Sequence, residues 1–144
     1  MKKILSICLI LVMVSAVASA GNVYDKIKKE ATVTPEGIRE ITYDQFIEIK
    51  KSKEKYVVLD VLDPESYVDG HIPGAKNLPL GDINKKNAKA KLKKNSNIVV
   101  YCASFKCMAS VHAAKKLGAL GYKNVLDFKG GLKEWKDKGN GLVI

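Results

Sequence analysis

The chain has 144 residues, 47% of them hydrophobic, and a formal net charge of +10 at pH 7. This length supports one hydrophobic core and is too short for two domains of ordinary size. The basic charge is most simply that of a solvated surface that keeps the protein soluble, and the alternative is attraction of anionic substrates or of a membrane surface. Nucleic-acid binding is not predicted, because the chain has no interleaved pattern of basic and aromatic residues.

The first twenty residues have the pattern of an export signal. Lys2 and Lys3 precede an apolar run over 4–17, and Ala18-Ser19-Ala20 matches the small residues of a signal-peptidase site. We therefore expect residues 1–20 to be a signal peptide cleaved after Ala20, and the protein to act in the periplasm or another extracytoplasmic compartment. No stable membrane anchor is expected after processing, since the apolar run is shorter than the roughly twenty residues that cross a bilayer.

Residues 21–40 are polar and rich in lysine, and we interpret them as an arm that leads into a domain spanning 41–144. Hydrophobic periodicity then predicts a helix over 43–52 and a buried strand over 55–62. The unbroken Val-Val-Leu run of that strand is typical of parallel strands covered on both faces.

Helix and strand signals alternate through the rest of the chain. Asp63 and Pro64 have the residue types of an N-cap and a first helical position, so they predict the start of a short helix. Further strands are predicted near 75–78, over 97–102 and over 124–128, and further helices over 107–121 and up to Trp135. This alternation predicts an α/β domain with a mostly parallel sheet.

The stretch VVYCASFKCMAS, residues 99–110, places two cysteines where a strand gives way to a helix. Cys8 would leave with the signal, so Cys102 and Cys107 are the only thiols expected in the exported protein. Two cysteines in an oxidising compartment usually form a structural disulfide. A bridge between residues this close in sequence removes little chain entropy, however, so reactive chemistry is favoured over a structural role.

Cys102 has the position of a nucleophile. Reactive groups of open α/β sheets collect at the carboxyl ends of strands, and Cys102 follows such an end. Backbone N–H groups of the next loop, the N-terminus of the next helix and the charge of Lys106 would each favour a thiolate over a thiol. The loop is therefore predicted to be an anion-binding cradle.

Two long stretches resemble single-domain rhodaneses, sulfurtransferases that carry sulfane sulfur as a cysteine persulfide. They are VVLDVLDPESYVDGHIPGAKNLPL, residues 57–80, and NIVVYCASFKCMASVHAAKKLGALGYKNVLDFKGGLKEW, residues 97–135. The similarity extends over about 41–139 and includes an Asp-Val strand end, Gly-His-Ile-Pro-Gly-Ala, a strand ending in Tyr-Cys and Gly-Gly before a tryptophan. It implies a three-layer α/β/α domain around a five-stranded, mostly parallel sheet.

The resemblance also places the catalytic nucleophile on Cys102. Its thiolate would take sulfur from a small anionic donor, such as thiosulfate or a persulfide, and pass it to a thiol acceptor or cyanide. The loop residues that would cradle the charged sulfur are Ala103, Ser104, Phe105, Lys106 and Cys107, with Asp60 at the pocket edge. No cofactor is expected, and no metal, because His71 and His112 lie too far apart in sequence to complete a zinc site.

The loop departs from the family pattern at Cys107, where relatives often offer arginine or another cation. Bidentate capture of an anion is then lost, so weak turnover of thiosulfate is expected. A second hypothesis makes Cys107 a resolving thiol that forms a disulfide with Cys102, in a redox-coupled sulfur carrier or a thiol oxidoreductase. A third is a non-catalytic binding module. A phosphatase is not predicted, because Met108 replaces the arginine that phosphoryl transfer would need.

Overall fold

The computed structural model describes residues 22–144, so the predicted signal peptide lies outside the described residues. The strands are β1 (Thr32–Val33), β2 (Arg39–Ile41), β3 (Val57–Asp60), β4 (Lys76–Asn77), β5 (Ile98–Tyr101) and β6 (Val125–Phe128). The α-helices are α1 (Val23–Glu30), α2 (Tyr43–Lys51), α3 (Pro64–Asp69), α4 (Lys85–Lys91), α5 (Ala109–Ala119) and α6 (Gly131–Asp137), and a short 3-10 helix spans Leu80–Asp82. Within this part of the chain, no helix is long and apolar enough to span a bilayer.

The strands form one sheet with the order β1-β2-β6-β5-β3-β4, in which only the β1–β2 pair is antiparallel. Successive side chains of a strand point to opposite faces, and the residues of β5 alternate between two apolar clusters. Ile98 and Val100 pack with Leu117 of α5 on one face of the sheet. Val99 and Tyr101 pack on the other face, in the cluster that includes Trp135 of α6. The result is a three-layer α/β domain, and the predicted fold class is confirmed.

The segment 21–40, expected to be an arm, is folded over its described residues. Asn22 caps α1 by accepting a hydrogen bond from the Asp25 N–H, and α1 buries Tyr24 and Ile27. The Tyr24 hydroxyl lies 2.7 Å from the carbonyl oxygen of Ile98, on the central strand. This segment also supplies β1, so the sheet has six strands where five were expected.

The carboxyl ends of β3, β5 and β6 meet at one edge of the sheet. Asp60, the last residue of β3, pairs with Tyr101, and Val100 pairs with Asp127. Cys102 and Lys129 each stand two residues beyond that second pair, so the register places them level at this edge. Reactive groups in parallel sheets are expected here.

Candidate active site around Cys102

Cys102 follows β5 directly and is completely buried, with 0% of its surface exposed. It belongs to the apolar cluster on the α5 face of the sheet, together with Val100 and Val111. α5 begins at Ala109, and no side chain caps its N-terminus, which leaves backbone N–H groups free to face a sulfur atom. The strand end and the helix start therefore enclose Cys102 between them.

The N-terminus of α6 holds the start of the loop in place. The N–H of Leu132 donates to the Cys102 carbonyl at 3.0 Å, and the N–H of Lys133 donates to the Ala103 carbonyl at 2.9 Å. Gly131 has φ +59°, and a Cβ on it would lie 2.2 Å from the Cys102 carbonyl oxygen. Only glycine fits this close backbone approach, which explains part of the Gly-Gly motif that precedes the tryptophan.

The Cys102 sulfur makes two polar contacts, both at 3.4 Å. Its one S–H proton has two acceptors within reach, the carbonyl oxygen of Cys107 and the hydroxyl oxygen of Ser110. Burial, and then a hydrogen bond with the Cys107 side chain, raise the pKa of the Cys102 thiol, and contacts with Ser110 only partly oppose this. The expectation that the loop lowers this pKa is therefore wrong for the resting protein, because the cost of enclosing a thiolate exceeds what the nearby donors return.

Cys107 is the more acidic of the two thiols. Burial opposes its ionisation, yet the Cys102 side chain, the N–H groups of Ala103 and Ala109 and the charge of Lys129 together lower the pKa of Cys107. Both cysteines are free in this structure. The Cys102 sulfur contacts the backbone of Cys107 at 3.4 Å, so the two cysteines are neighbours in the loop, one with a raised and one with a lowered pKa.

Lys129 is a cation of the site that the sequence reasoning missed. Its Nζ donates to the carbonyl oxygen of Cys107 and lies 3.6 Å from the Met108 sulfur. Lys106, the predicted cation, lies on the exposed surface of the loop instead. The only signal for Lys129 in the sequence was its position just after a predicted strand, and the pairing of that strand with β5 is what brings it to the edge where Cys102 lies.

Asp127 is a second group that the sequence reasoning missed. It lies on β6 with 0% of its surface exposed, and neither carboxylate oxygen has a hydrogen-bond partner of good geometry among the described residues. Burial raises the pKa of Asp127 to about 6, while the nearby Ser110 hydroxyl and the charge of Lys129 oppose that rise. Ser110, which contacts the Cys102 sulfur, is thus buried on the helix that packs against the strand of Asp127.

The remaining predicted site residues fall into two groups. Ala103, Ser104, Phe105 and Lys106 form the loop, whose turn is closed by a hydrogen bond from the Cys107 N–H to the Ser104 carbonyl. Phe105 is 60% exposed and Met108 is 50% exposed, so the loop presents two apolar side chains to solvent. Among the residues described, no group of three His, Cys, Asp or Glu side chains could hold a metal ion.

Asp60 is not brought into the pocket. It accepts a hydrogen bond from the Tyr101 hydroxyl at 2.6 Å and another from the Leu62 N–H at 2.9 Å. The Tyr101 hydroxyl also accepts from the Ile72 N–H at 3.1 Å. Because Tyr101 and Cys102 are consecutive, their side chains take opposite faces of the sheet, and the Asp60 carboxylate lies on the Tyr101 face.

Sequence and structure comparisons agree with this architecture. The family profile described as Rhodanese-like domain matches residues 42–138. The chain is 33% identical over 101 residues to a candidate sulfur carrier protein of Bacillus subtilis, YrkF, and this match covers 70% of the chain and 52% of YrkF. It is 37% identical over 76 residues to the thiosulfate sulfurtransferase PspE of Escherichia coli, covering 53% of the chain and 70% of PspE. The chain thus spans about half the length of YrkF.

The fold is also found in solved structures. The crystal structure of the BH2092 protein from Bacillus halodurans is 33% identical, with a TM-score of 0.66 over 83% of this chain and 81% of that one. A solution structure of the Rhodanese-like domain from the Anabaena Alr3790 protein is 30% identical, with a TM-score of 0.64 over 72% of this chain and 77% of that one. Since the family profile covers more than half of the residues, the chain belongs to the Rhodanese-like domain family.

Proposed function

We propose that this protein is a sulfurtransferase that carries sulfane sulfur as a persulfide on Cys102. The observation that carries the proposal is the enclosure of Cys102 between the end of β5 and the uncapped start of α5, with Lys129 at the same edge. The related proteins named as thiosulfate sulfurtransferases support it. A persulfide enclosed in this way would keep its negatively charged sulfur away from water, where hydrogen bonds and a cation act strongly.

The reaction has two covalent steps. The Cys102 thiolate attacks the outer sulfur of the donor, a new S–S bond forms, and the donor's own S–S bond breaks so that sulfite, or a thiolate, leaves with its electron pair. An acceptor thiolate or cyanide then attacks the outer sulfur of the persulfide and releases the Cys102 thiolate. Small anionic donors and thiol acceptors are the partners that this chemistry needs, and it needs no metal or cofactor.

The position of Lys129 sets our expectation for the donor. A lysine offers a point charge and not the planar fork of an arginine, and one of its donors is already used by the Cys107 carbonyl. A persulfide anion with a single charged sulfur suits this site better than thiosulfate, whose three sulfonate oxygens call for several donors. We propose a persulfide as the preferred donor, in an extracytoplasmic compartment reached through the signal at 1–20.

The closeness of the two cysteines, with the Cys102 sulfur 3.4 Å from the Cys107 carbonyl oxygen, favours a second candidate function. Cys107 has the lowered pKa of an attacking thiol. As a thiolate it could attack the Cys102 sulfur of the persulfide, form a Cys102–Cys107 disulfide and expel the outer sulfur as sulfide, so that two thiols are oxidised and the sulfane sulfur is reduced. The protein would then be a redox-coupled sulfur carrier.

Mass spectrometry of the two cysteine peptides distinguishes the candidates. Cleavage after lysine places Cys102 in peptide 95–106 and Cys107 in peptide 107–115. After incubation with thiosulfate, polysulfide or glutathione persulfide and trapping by an alkylating reagent, we expect one added sulfur on peptide 95–106, and none in a Cys102→Ser variant. No added sulfur with any donor would exclude the sulfurtransferase. Unchanged loading and turnover in Cys107→Ser would exclude the resolving role of Cys107.

A further inference from the structure

The unpaired carboxylate of Asp127 requires a physical explanation. Burying a carboxylate without partners costs several kcal/mol, and such groups are rare outside functional sites. Asp127 lies on the face of β6 that turns toward α5, since its neighbours Leu126 and Phe128 pack on the opposite face. That face is the one on which Cys102 and Ser110 lie.

Ser110 is the residue through which Asp127 and Cys102 could be linked. Its hydroxyl oxygen accepts from the Cys102 thiol at 3.4 Å, so its own proton is free to point elsewhere. Ser110 on α5 and Asp127 on β6 are both completely buried where these two elements pack against each other. The Ser110 hydroxyl opposes the rise in the pKa of the Asp127 carboxyl. The other charged groups that face Asp127 are Lys129, on the same strand, and Glu40, paired with it on β2. Its partner on β5, Val100, is apolar.

We propose that Asp127 is a positioning residue that acts through Ser110, so that Asp127 and Cys102 share one negative charge during sulfur transfer. In the resting protein the charge is on the Asp127 carboxylate and the proton is on the Cys102 sulfur. This inference rests on the proposed function of Cys102 as the sulfur-carrying nucleophile.

In the loading step, the proton of Cys102 moves to Asp127 within the site, and the electron pairs move only between Cys102 and the donor. The Cys102 thiol gives its proton to the Ser110 oxygen, and the Ser110 hydroxyl gives its proton to an Asp127 oxygen. The electron pair of the S–H bond stays on the Cys102 sulfur and forms the bond to the donor's outer sulfur, while the donor's leaving group takes the pair of the broken S–S bond. The persulfide then carries the one charge, next to a protonated Asp127, and the buried charge is unchanged.

The first test does not depend on sulfur chemistry. The rate of iodoacetamide alkylation of peptide 95–106 is followed against pH in the full chain carrying Cys107→Ser, with and without Asp127→Asn. The two rates should coincide near pH 5, where Asp127 is protonated, and the Asp127→Asn protein should react about three- to tenfold faster above about pH 7, where the carboxylate charge opposes the thiolate. Parallel profiles over the whole range would overturn the proposal, because a purely structural effect shifts all rates alike.

A second test measures the proton balance. An indicator dye reports proton release while a persulfide donor loads Cys102, and we expect close to one proton more per loaded sulfur from Asp127→Asn than from its parent. Equal release would refute the shared charge. An Asp63→Asn variant is the control, because Asp63 is an exposed helix cap and should leave both measurements unchanged.

The two proposals fail in different ways. If no donor adds sulfur to Cys102, the proposed function is wrong, and the alkylation profile still decides whether Asp127 and Cys102 are linked. If sulfur adds normally but both readouts are unchanged, only the role of Asp127 is wrong. An Asp127→Val variant, which suits a buried strand, repeats both measurements if the asparagine variant does not fold.

Discussion

Replacing Asp127 by asparagine should stabilise the protein at neutral pH. Asparagine has nearly the same shape and no charge, so the change removes the cost of burying an unpaired carboxylate. The pKa of Asp127 rises from the ordinary 3.8 to about 6 on folding. The folded protein therefore binds this proton more tightly than the unfolded chain does.

The pH dependence follows from that direction. Between about pH 4 and pH 6 the folded state holds a proton that the unfolded state has lost, so the free energy of unfolding falls as the pH rises and becomes level above that range. A difference of about two pKa units corresponds to roughly 3 kcal/mol. Asp127→Asn should thus match the parent near pH 4 and exceed its free energy of unfolding by up to about 3 kcal/mol near pH 8.

Urea unfolding of both proteins at several pH values measures this difference, with equal m-values showing that the unfolding transitions are comparable. Asp63→Asn is a control of opposite sign. Hydrogen bonds from the Ser66 N–H and hydroxyl lower the pKa of Asp63, so its carboxylate should stabilise the fold above that pKa. An Asp127→Asn protein less stable than its parent near pH 8 would refute the reasoning, since it would mean that the carboxylate has a favourable partner.

Three other substitutions test the site and the N-terminal segment. Lys129→Met should slow alkylation of Cys107 near pH 7 by about two- to tenfold, measured on peptide 107–115, because the charge of Lys129 lowers the pKa of that thiol. Lys106→Met is the control and should have little effect, since Lys106 is exposed on the surface of the loop. Gly131→Ala should lower the free energy of unfolding by about 1–3 kcal/mol more than Gly139→Ala does. Both glycines have a positive φ, but only a Cβ at position 131 would meet the Cys102 carbonyl. Equal losses of stability in urea unfolding would contradict this. Tyr24→Phe should lower the free energy of unfolding by about 1 kcal/mol, because the hydrogen bond from its hydroxyl to the Ile98 carbonyl is lost. Tyr56→Phe is the control, and no loss of stability in Tyr24→Phe would mean that α1 contributes little to the domain.

The sequence predicted the elements that have strong local signals. The apolar runs of β3 and β5 and the cap formed by Asp63 and Pro64 are found where they were expected. α1 was missed because its buried residues, Tyr24 and Ile27, stand among lysines, and two apolar positions do not make a clear periodic pattern. Its helix depends on packing against the sheet more than on its own composition.

The site was predicted unevenly for a geometric reason. Cys102 could be found because the strand end and the following loop are adjacent in sequence, whereas Lys129 and Asp127 reach it through the pairing of β6 with β5. Asp60 lies at the expected strand end but on the opposite face of the sheet, because its carboxylate bonds Tyr101 and not Cys102. In a parallel sheet the edge alone does not identify a neighbour, and the face must be known as well.

Cys107 occupies the position where the resemblance to rhodaneses led us to expect a cation, and Lys129 lies next to it. Lys129 contacts the Cys107 carbonyl from the end of the neighbouring strand, so a positive charge still reaches the loop from its side. The loop position itself is then free for a thiol whose lowered pKa depends partly on that lysine. An arginine at 107 would offer several donors to an anion but could not form the disulfide with Cys102 that we propose as the second candidate function. Cys107→Arg should therefore speed thiosulfate turnover by Cys102 while abolishing any Cys102–Cys107 disulfide, and slower turnover of thiosulfate in steady-state kinetics would show that Lys129 and an arginine compete for the same space.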